Sequence, residues 1–473
     1  MFAVVNLNNY WPMNKYIALI TSMMLCTALS MAQVQEFQVD AQRGSIIRSV
    51  KGDSVLVYSE VSPSEAYFLL YVDGGASAQA FQLLPGYNVQ VRDVRIRDGK
   101  TAYFCGSMKA GLFPEVRAVV GQFDINDVFS GAGTVQWACF PWVDINANGM
   151  YLTDMTRLDL FEYNGTVCMA MAGKTVYDMG TWLPGTTVAS AWFDGASWHM
   201  IAHTNRYLKM KFTDVACLEK TILAVGTTEE DTGCLLKPFY MFPDFPSHPV
   251  TTDVSVGLSY GSPAGEALVD RVSHDSVVIA HFDKSADAGV VFHLLDDGSM
   301  PAVPVKTWLA PPSSTATYGT AQRLHELNSV GGKAYLLHAN EYPATSYPTP
   351  SDWLLELDYS NYPPSSGYAV YTPLKMWRPQ YGDMHSMDAS VTSIRLSGVD
   401  GTLLRIYGPY HPKETVCYDI DSLDVLYENA GIYESNIVDN ASYFQVLPDS
   451  GSPVIFKVDV NTICEIKGKE EKQ

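Results

Sequence analysis

Asp144, Asn146 and Asn148 stand at alternate positions in the segment DINANG, and Gly149 follows them where a sharp reversal needs a residue without a side chain. Hard oxygen donors at that spacing, completed by a backbone oxygen near Tyr151 and the carboxylate of Asp154, make a calcium shell the chemistry to expect. The helical calcium-loop pattern asks for Glu at its twelfth position. Met155 stands there and Asp154 one place earlier, so a metal-free Asx-rich turn is the competing reading. GLSYG at 257–261 spells a nucleophile elbow around Ser259. That chemistry needs a strand-to-helix turn with a histidine and an acid beside it, whereas the neighbourhood is β-type and carries Pro263, which favours a Gly-rich turn.

His199 and His203 lie four apart in WHMIAH, which in a strand is about 13 Å and too far for one zinc ion. His274, His281 and His293 would meet only across adjacent strands, without a recognised metal spacing. Asp93, Asp159, Asp214 and Glu326 recur at comparable places in a repeated segment. A catalytic group is usually unique, so recurrence favours an acid that accepts local backbone hydrogen bonds or holds a turn in every unit. Glycosidase chemistry needs two carboxylates roughly 5–9.5 Å apart with one kept protonated, and no spacing here selects such a pair. A different chemistry is offered by Tyr347, Trp353, Tyr368, Tyr371 and Trp377, set among Pro and Ser in the stretch 345–386. Aromatic platforms in long connections stack on sugars or peptides, and they also pack the outside of a fold.

The elements that must position these residues are strands. Runs rich in Val, Tyr, Phe, Leu and Thr are separated by Gly, Pro, Asp and Ser, and long amphipathic helical patterns are scarce. One segment returns along the chain: VRDVRIRDGKTAYFCG at 91–106, RLDLFEYNGTVCMAMAG at 157–173, TDVACLEKTILAVG at 213–226, RVSHDSVVIAHFD at 271–283, RLHELNSVGGKAYLLHA at 323–339 and SIRLSGVDGTLLRIYG at 393–408, with an N-terminal copy, SIIRSVKGDSVLVYSE, at 45–60. Each places polar, permissive residues such as Asp98 and Gly99 between two apolar strands, as a hairpin requires. Further apolar runs, RAVVGQFDI, GCLLKPFYMF, AGVVFHLLD and DWLLELDY, supply a third strand, and ASAQAFQLL a fourth. The irregular spacing suits four-stranded blades with variable loops better than a strict solenoid. The expected fold class is therefore all-β, a β-propeller of seven four-stranded blades. The extra pair in SYFQVLPDSGSPVIFKVD either completes a blade, helps close the first or starts an eighth.

The 51 acidic and 31 basic residues give a formal charge of -20, which disfavours nucleic acid and anionic membrane surfaces as partners. Lys15, the apolar stretch from Tyr16 to Leu29 and the small-residue end at Ser30 to Ala32 read as a secretory signal over 1–32, with Met13 as an alternative start. The expected organisation is that signal, a single domain over 33–466 and a polar flexible tail over 467–473, with no integral membrane segment after signal removal. Seven cysteines remain without CxxC or a metal-like cluster. Cys105, Cys168 and Cys217 sit in apolar runs that suggest burial, and Cys217 with Cys234 is a candidate local bridge.

With its aspartate, apolar strand, glycine turn and a strand such as AYFCG, the chain resembles exported β-propeller proteins, and MNKYIALITSMMLCTALSMAQ resembles the signals of Bacteroidetes secreted proteins. The resemblance implies a propeller scaffold in a secreted or periplasmic, or cell-surface-associated, setting. It does not imply one activity, since propellers host binders, hydrolases and lyases. The expected function is a non-catalytic recognition or scaffold protein for an extracellular glycan or protein. The alternative is a polysaccharide hydrolase or lyase using carboxylates at the channel mouth.

Overall fold

The computed structural model describes strands between residues 34 and 459 and many of the connections between them; segments 1–33, 240–255, 310–321, 341–352, 360–374, 420–430 and 460–473, with several shorter connections, lie outside the described residues. Among the described residues the fold is all-β apart from one short helix, Ile125–Phe129, whose first turn is capped by the Asp124 carboxylate accepting from Asp127 N. Small antiparallel sheets follow one another along the chain. Sheet I covers 43–83, sheet II 87–139, sheet III 143–203, sheet IV 210–257, sheet V 267–309, sheet VI 322–377 and sheet VII 383–419; sheet VIII combines 431–459 with the N-terminal strand Val34–Gln38. Each has four strands except sheet III, which has five because Val143–Ile145 pairs with the start of the long strand Asn148–Tyr163.

The repeated segment forms the first two strands of most sheets, and its details have structural reasons. Asp98 and Gly99 both take positive φ, 53° and 60°, within a three-residue connection between Arg97 and Thr101 that is closed by Lys100 N donating to Arg97 O at 3.0 Å. In three copies the closing glycine faces a bulge on the leading strand. Val91 pairs with Gly106 just before the register shift to Asp93, Met155 with Gly173 before the shift to Arg157, and Phe212 with Gly226 before the shift to Asp214. A Cβ on Gly106 would lie 2.0 Å from Gln90 O, and one on Gly173 2.3 Å from Asp154 O, so only glycine lets the bulged backbone approach this closely.

Consecutive sheets pack on one another through apolar faces. Leu56 and Phe68 of sheet I meet Phe104 and Phe123 of sheet II. Tyr103 and Val120 of sheet II meet Met169 and Ala189 of sheet III, Ala170 and Trp192 of sheet III meet Phe212 and Ile222 of sheet IV, and Val278 and Phe292 of sheet V meet Leu336 and Leu355 of sheet VI. These sheets thereby hide apolar surface against one another, with Ile125 and Val128 of the short helix joining the first of these cores. The leading strand of each sheet also lies against the leading strand of the next, and that of sheet VIII, Gly431–Val438, lies against that of sheet I, Arg43–Ser49.

The expected count of seven units gives way to eight sheets among the described residues. The C-terminal pair is the core of a separate sheet, completed on one side by Gly431–Val438 and on the other by Val34–Gln38, which pairs antiparallel with Val454–Asp459 from Val34 opposite Val458 to Gln38 opposite Val454. The copy at 393–408 is offset by one strand: it forms the second and third strands of sheet VII, whose leading strand is Asp383–Ala389. Residues so far apart in sequence as 34–38 and 454–459 leave no local pattern from which their pairing is read. Deleting residues 1–38 removes this strand and bares the edge of Val454–Asp459. At about 1 kcal/mol per lost ladder hydrogen bond, the expected result is a loss of roughly 2–5 kcal/mol in urea unfolding; an unchanged midpoint would show that sheet VIII does not depend on that strand.

Candidate functional site

The leading strands carry acids that bind the next sheet. Asp93 accepts from Val94 N at 2.8 Å with one oxygen and from Leu158 N of sheet III at 3.1 Å with the other. Asp159 accepts from Leu160 N at 2.8 Å and from Cys217 N of sheet IV at 2.7 Å. Asp214 accepts from Val215 N at 2.9 Å and from Val269 N of sheet V at 3.1 Å, and Asp270 accepts from Ser329 N of sheet VI. A carboxylate has lone pairs to bridge two N–H donors, and each clamp gives backbone N–H groups of two leading strands an acceptor. The backbone-bonding role expected for Asp93, Asp159 and Asp214 is what these contacts describe. Asp270 belongs to the same series, although its place at the end of ALVDR sets it outside the aligned copies.

Their charge states differ with their neighbours. Burial alone would push Asp93 up, but the guanidinium groups of Arg95, Arg48 and Arg157 outweigh it and hold the carboxyl below its usual range. Arg48 bonds Asp93 Oδ1 at 3.1 Å and Val94 O at 2.7 Å, which ties sheet I into the same series. Burial pushes Asp214 up despite Arg157 and two N–H donors, and pushes Asp270 up to about 7, with Asp214 and Asp159 adding to the rise. Arg95 is held firmly protonated, first by Asp93 and further by Asp159, Asp214 and Glu326, so acids from four sheets converge around one guanidinium.

At the turn end of these strands opens a cleft of about 420 Å³, lined by Arg95, Arg97, Asp98, Glu162 and Arg271, with Ile96, Leu160 and Phe161 as its apolar part and the already bonded Asp159 below. Arg95 Nε donates to Leu158 O at 3.0 Å and its side chain is 50% exposed. Arg97 pairs with Glu162 across the boundary between sheets II and III and lies 3.4 Å from Asp98. Arg271 reaches from sheet V to Leu160 O of sheet III and Cys217 O of sheet IV, both at 3.5 Å, and is exposed. This arrangement presents guanidinium donors beside carboxylate acceptors in a concave site, which suits binding of a polar ligand.

The residues singled out from the sequence are distributed differently. Asp144 pairs with Gly149 and Ile145 with Asn148 in two antiparallel strands of sheet III; residues 146–147 and the side chains of Asp144, Asn148 and Tyr151 lie outside the described residues. Asp154 is five residues further along an extended strand, about 17 Å from Gly149, and its buried carboxylate, pushed up by burial, bonds Arg92 Nε at 3.0 Å. Among the described residues no cluster of three or more His, Cys, Asp or Glu suited to a metal occurs. Trp353 and Trp377 sit in adjacent strands of sheet VI, with Trp353 opposite His338 and Trp377 opposite Leu354, and not in open connections. Tyr347, Tyr368 and Tyr371 lie outside the described residues, as do Ser259, His274 and Cys234. Cys217 is a free, buried thiol.

Two histidine arrangements emerge. His281 and His293 are fully buried in neighbouring strands of sheet V, stacked at 4.9 Å with Nε2 atoms 2.7 Å apart. His199 stacks on Trp192 at 5.2 Å and bonds Asp194 at 2.6 Å, and this bond holds the Asp194 carboxyl below its usual range. His199 and His203 do not meet on one ion: they lie opposite Trp192 and Val188 along one strand. The arginines of the cleft were legible only in retrospect, as Arg95 and Arg97 alternating in VRIRDG within a chain poor in basic residues.

No family model matches the chain, and no curated protein does. Solved structures with similar backbones include the WD40 domain of SCAP from fission yeast, 9% identical with a TM-score of 0.44 over 92% of this chain and 97% of that one. A prolyl endopeptidase is 12% identical with a TM-score of 0.44 over 88% of this chain, which spans 55% of that protein. The β-propeller domain of the Trilobed protease from Pyrococcus furiosus is 8% identical with a TM-score of 0.40 over 81% of this chain and 98% of that one. Among the described residues no helix is long and apolar enough to cross a membrane.

Proposed function

We propose that the eight sheets close into a propeller-type ring and that the chain is an exported, non-catalytic recognition or scaffold protein, which engages an extracellular glycan or protein through the cleft at the ends of its leading strands. Closure is supported by leading-strand contacts that run from sheet to sheet and return from sheet VIII to sheet I, and by the N-terminal strand that completes sheet VIII. Export rests on the signal-like segment over 1–32. The observation that carries the non-catalytic reading is that strand-borne acids of the ring are engaged by backbone N–H groups of the following sheet, while exposed guanidinium groups line the cleft. An acid fixed as a double acceptor is a poor proton donor or nucleophile.

The test is a panel of extracellular polysaccharides assayed for both binding and product release. Retention of one or more glycans without new reducing ends or unsaturated products is the expected result; turnover would overturn the proposal in favour of the hydrolase or lyase alternative. Calcium at residues 143–150 remains part of the proposal. In the same assays with calcium or chelator, the wild type should gain thermal stability from calcium and the Asp144→Ala/Asn146→Ala variant should not.

A further inference from the structure

Three guanidinium groups reach the cleft, and they are not equivalent. Arg97 is committed to Glu162 and Asp98, and Arg95 to Leu158 O with Asp93 3.6 Å away. Arg271 is exposed and touches two carbonyl oxygens only at 3.5 Å, long for a hydrogen bond, so those contacts orient its planar fork without using it up. A guanidinium so placed is matched by a carboxylate taken in two parallel N–H bonds. Beside it stand Asp98, with 82% of its side chain exposed, and Glu162, with 49% exposed. Both are acceptors, so the part of the ligand next to the anion must bring donors, and a second anion there is repelled.

Resting on the recognition reading above, we propose that this cleft takes a single sugar residue bearing one carboxylate, with Arg271 holding the carboxylate and Asp98 and Glu162 accepting from neighbouring hydroxyls. The volume of about 420 Å³ falls in the range of small-ligand sites, roughly 300–1,000 Å³. Ile96 and Phe161 give the sugar's C–H face an apolar wall. A sugar supplies hydroxyl donors on consecutive carbons, whereas a peptide brings one acceptor for every donor along its backbone. The formal charge of -20 over the whole chain opposes a polyanion, so the ligand carries isolated acidic residues among neutral ones.

Calorimetric titration of the full chain with sodium galacturonate, with galactose and with an N-acetylated peptide ending in a free carboxylate tests this. Galacturonate should bind at least tenfold more tightly than galactose. Arg271→Gln should abolish that preference while leaving the thermal midpoint unchanged, and Arg271→Lys should keep part of it. Equal binding of the two sugars by the wild type, galacturonate binding indifferent to Arg271→Gln, or tighter binding of the peptide would each overturn the assignment. These failures leave a glycan retained in the wider panel untouched, whereas product release in that panel defeats the recognition reading itself.

Discussion

Replacing Asp93 by Ala is expected to lower the unfolding free energy by about 3–5 kcal/mol, the cost of leaving buried polar groups and a charge without their partner. The side chain is nearly fully buried and serves three groups at once: Val94 N, Leu158 N and the Arg48 guanidinium. Alanine strands two N–H donors between sheets II and III and a cation between sheets I and II, where water has little access to replace the acid. Asp93→Asn keeps one acceptor oxygen and the shape, and should cost about 1–3 kcal/mol, mainly the loss of a charge-assisted bond. Glu65→Ala, at an exposed position, serves as the control and should stay within about 0.5 kcal/mol of wild type. The comparison is made by urea unfolding at pH 7. If Asp93→Ala behaves like the control, the clamp contributes nothing and the recurring acids need another explanation. The carboxyl is held below its usual range by Arg95, Arg48 and Arg157 against the effect of burial, so its contribution is present above about pH 3.8 and is lost as the pH falls further.

Much of this architecture was legible in the chain because it is written locally. The hairpin turn at Asp98 and Gly99, the alternation in the second strands and the recurrence of acids all follow from steric and hydrogen-bonding demands that act within a dozen residues. The terminal glycines of AYFCG and VCMAMAG were part of the repeat, but that they face bulges became clear only from the register. What the sequence hid is long-range. The eighth sheet needs residues 34–38 beside 454–459, and sheet VII begins at Asp383, one strand before its recognisable copy. The cleft is similarly nonlocal, since Arg97, Glu162 and Arg271 come from three sheets and share no motif. DINANG stays ambiguous for a local reason: alternating oxygen donors suit a calcium loop and an Asx-rich turn alike, and the extended strand that follows takes Asp154 to Arg92.

The buried histidine pair and Asp270 should give the protein two opposed pH dependences in one sheet. His293 is pushed well below its usual range by burial and then by His281, whose Nε2 lies 2.7 Å away, so that a second proton has no favourable place. The unfolded chain takes up that proton below about pH 6.5 and the folded chain does not; stability from this group is full above that pH and is lost as the pH falls. Asp270 runs the other way. Burial raises it to about 7 from 3.8, so the folded chain holds a proton that the unfolded chain releases, and its contribution is full below about pH 3.8 and lost as the pH rises through 7. Each slope is about 1.4 kcal/mol per pH unit, and between about pH 4 and 6.5 they oppose one another. Unfolding free energies taken as variant minus wild type at each pH cancel the titrations that both proteins share. For Asp270→Asn this difference should climb by roughly 3 kcal/mol from pH 4 to 7. For His281→Gln/His293→Gln it should instead fall as the pH rises towards 6.5 and then level off. Slopes of the same sign in the two variants would show that the acid and the pair do not titrate as their surroundings require, and a flat difference for the histidine variant would mean that the buried pair carries its second proton without cost.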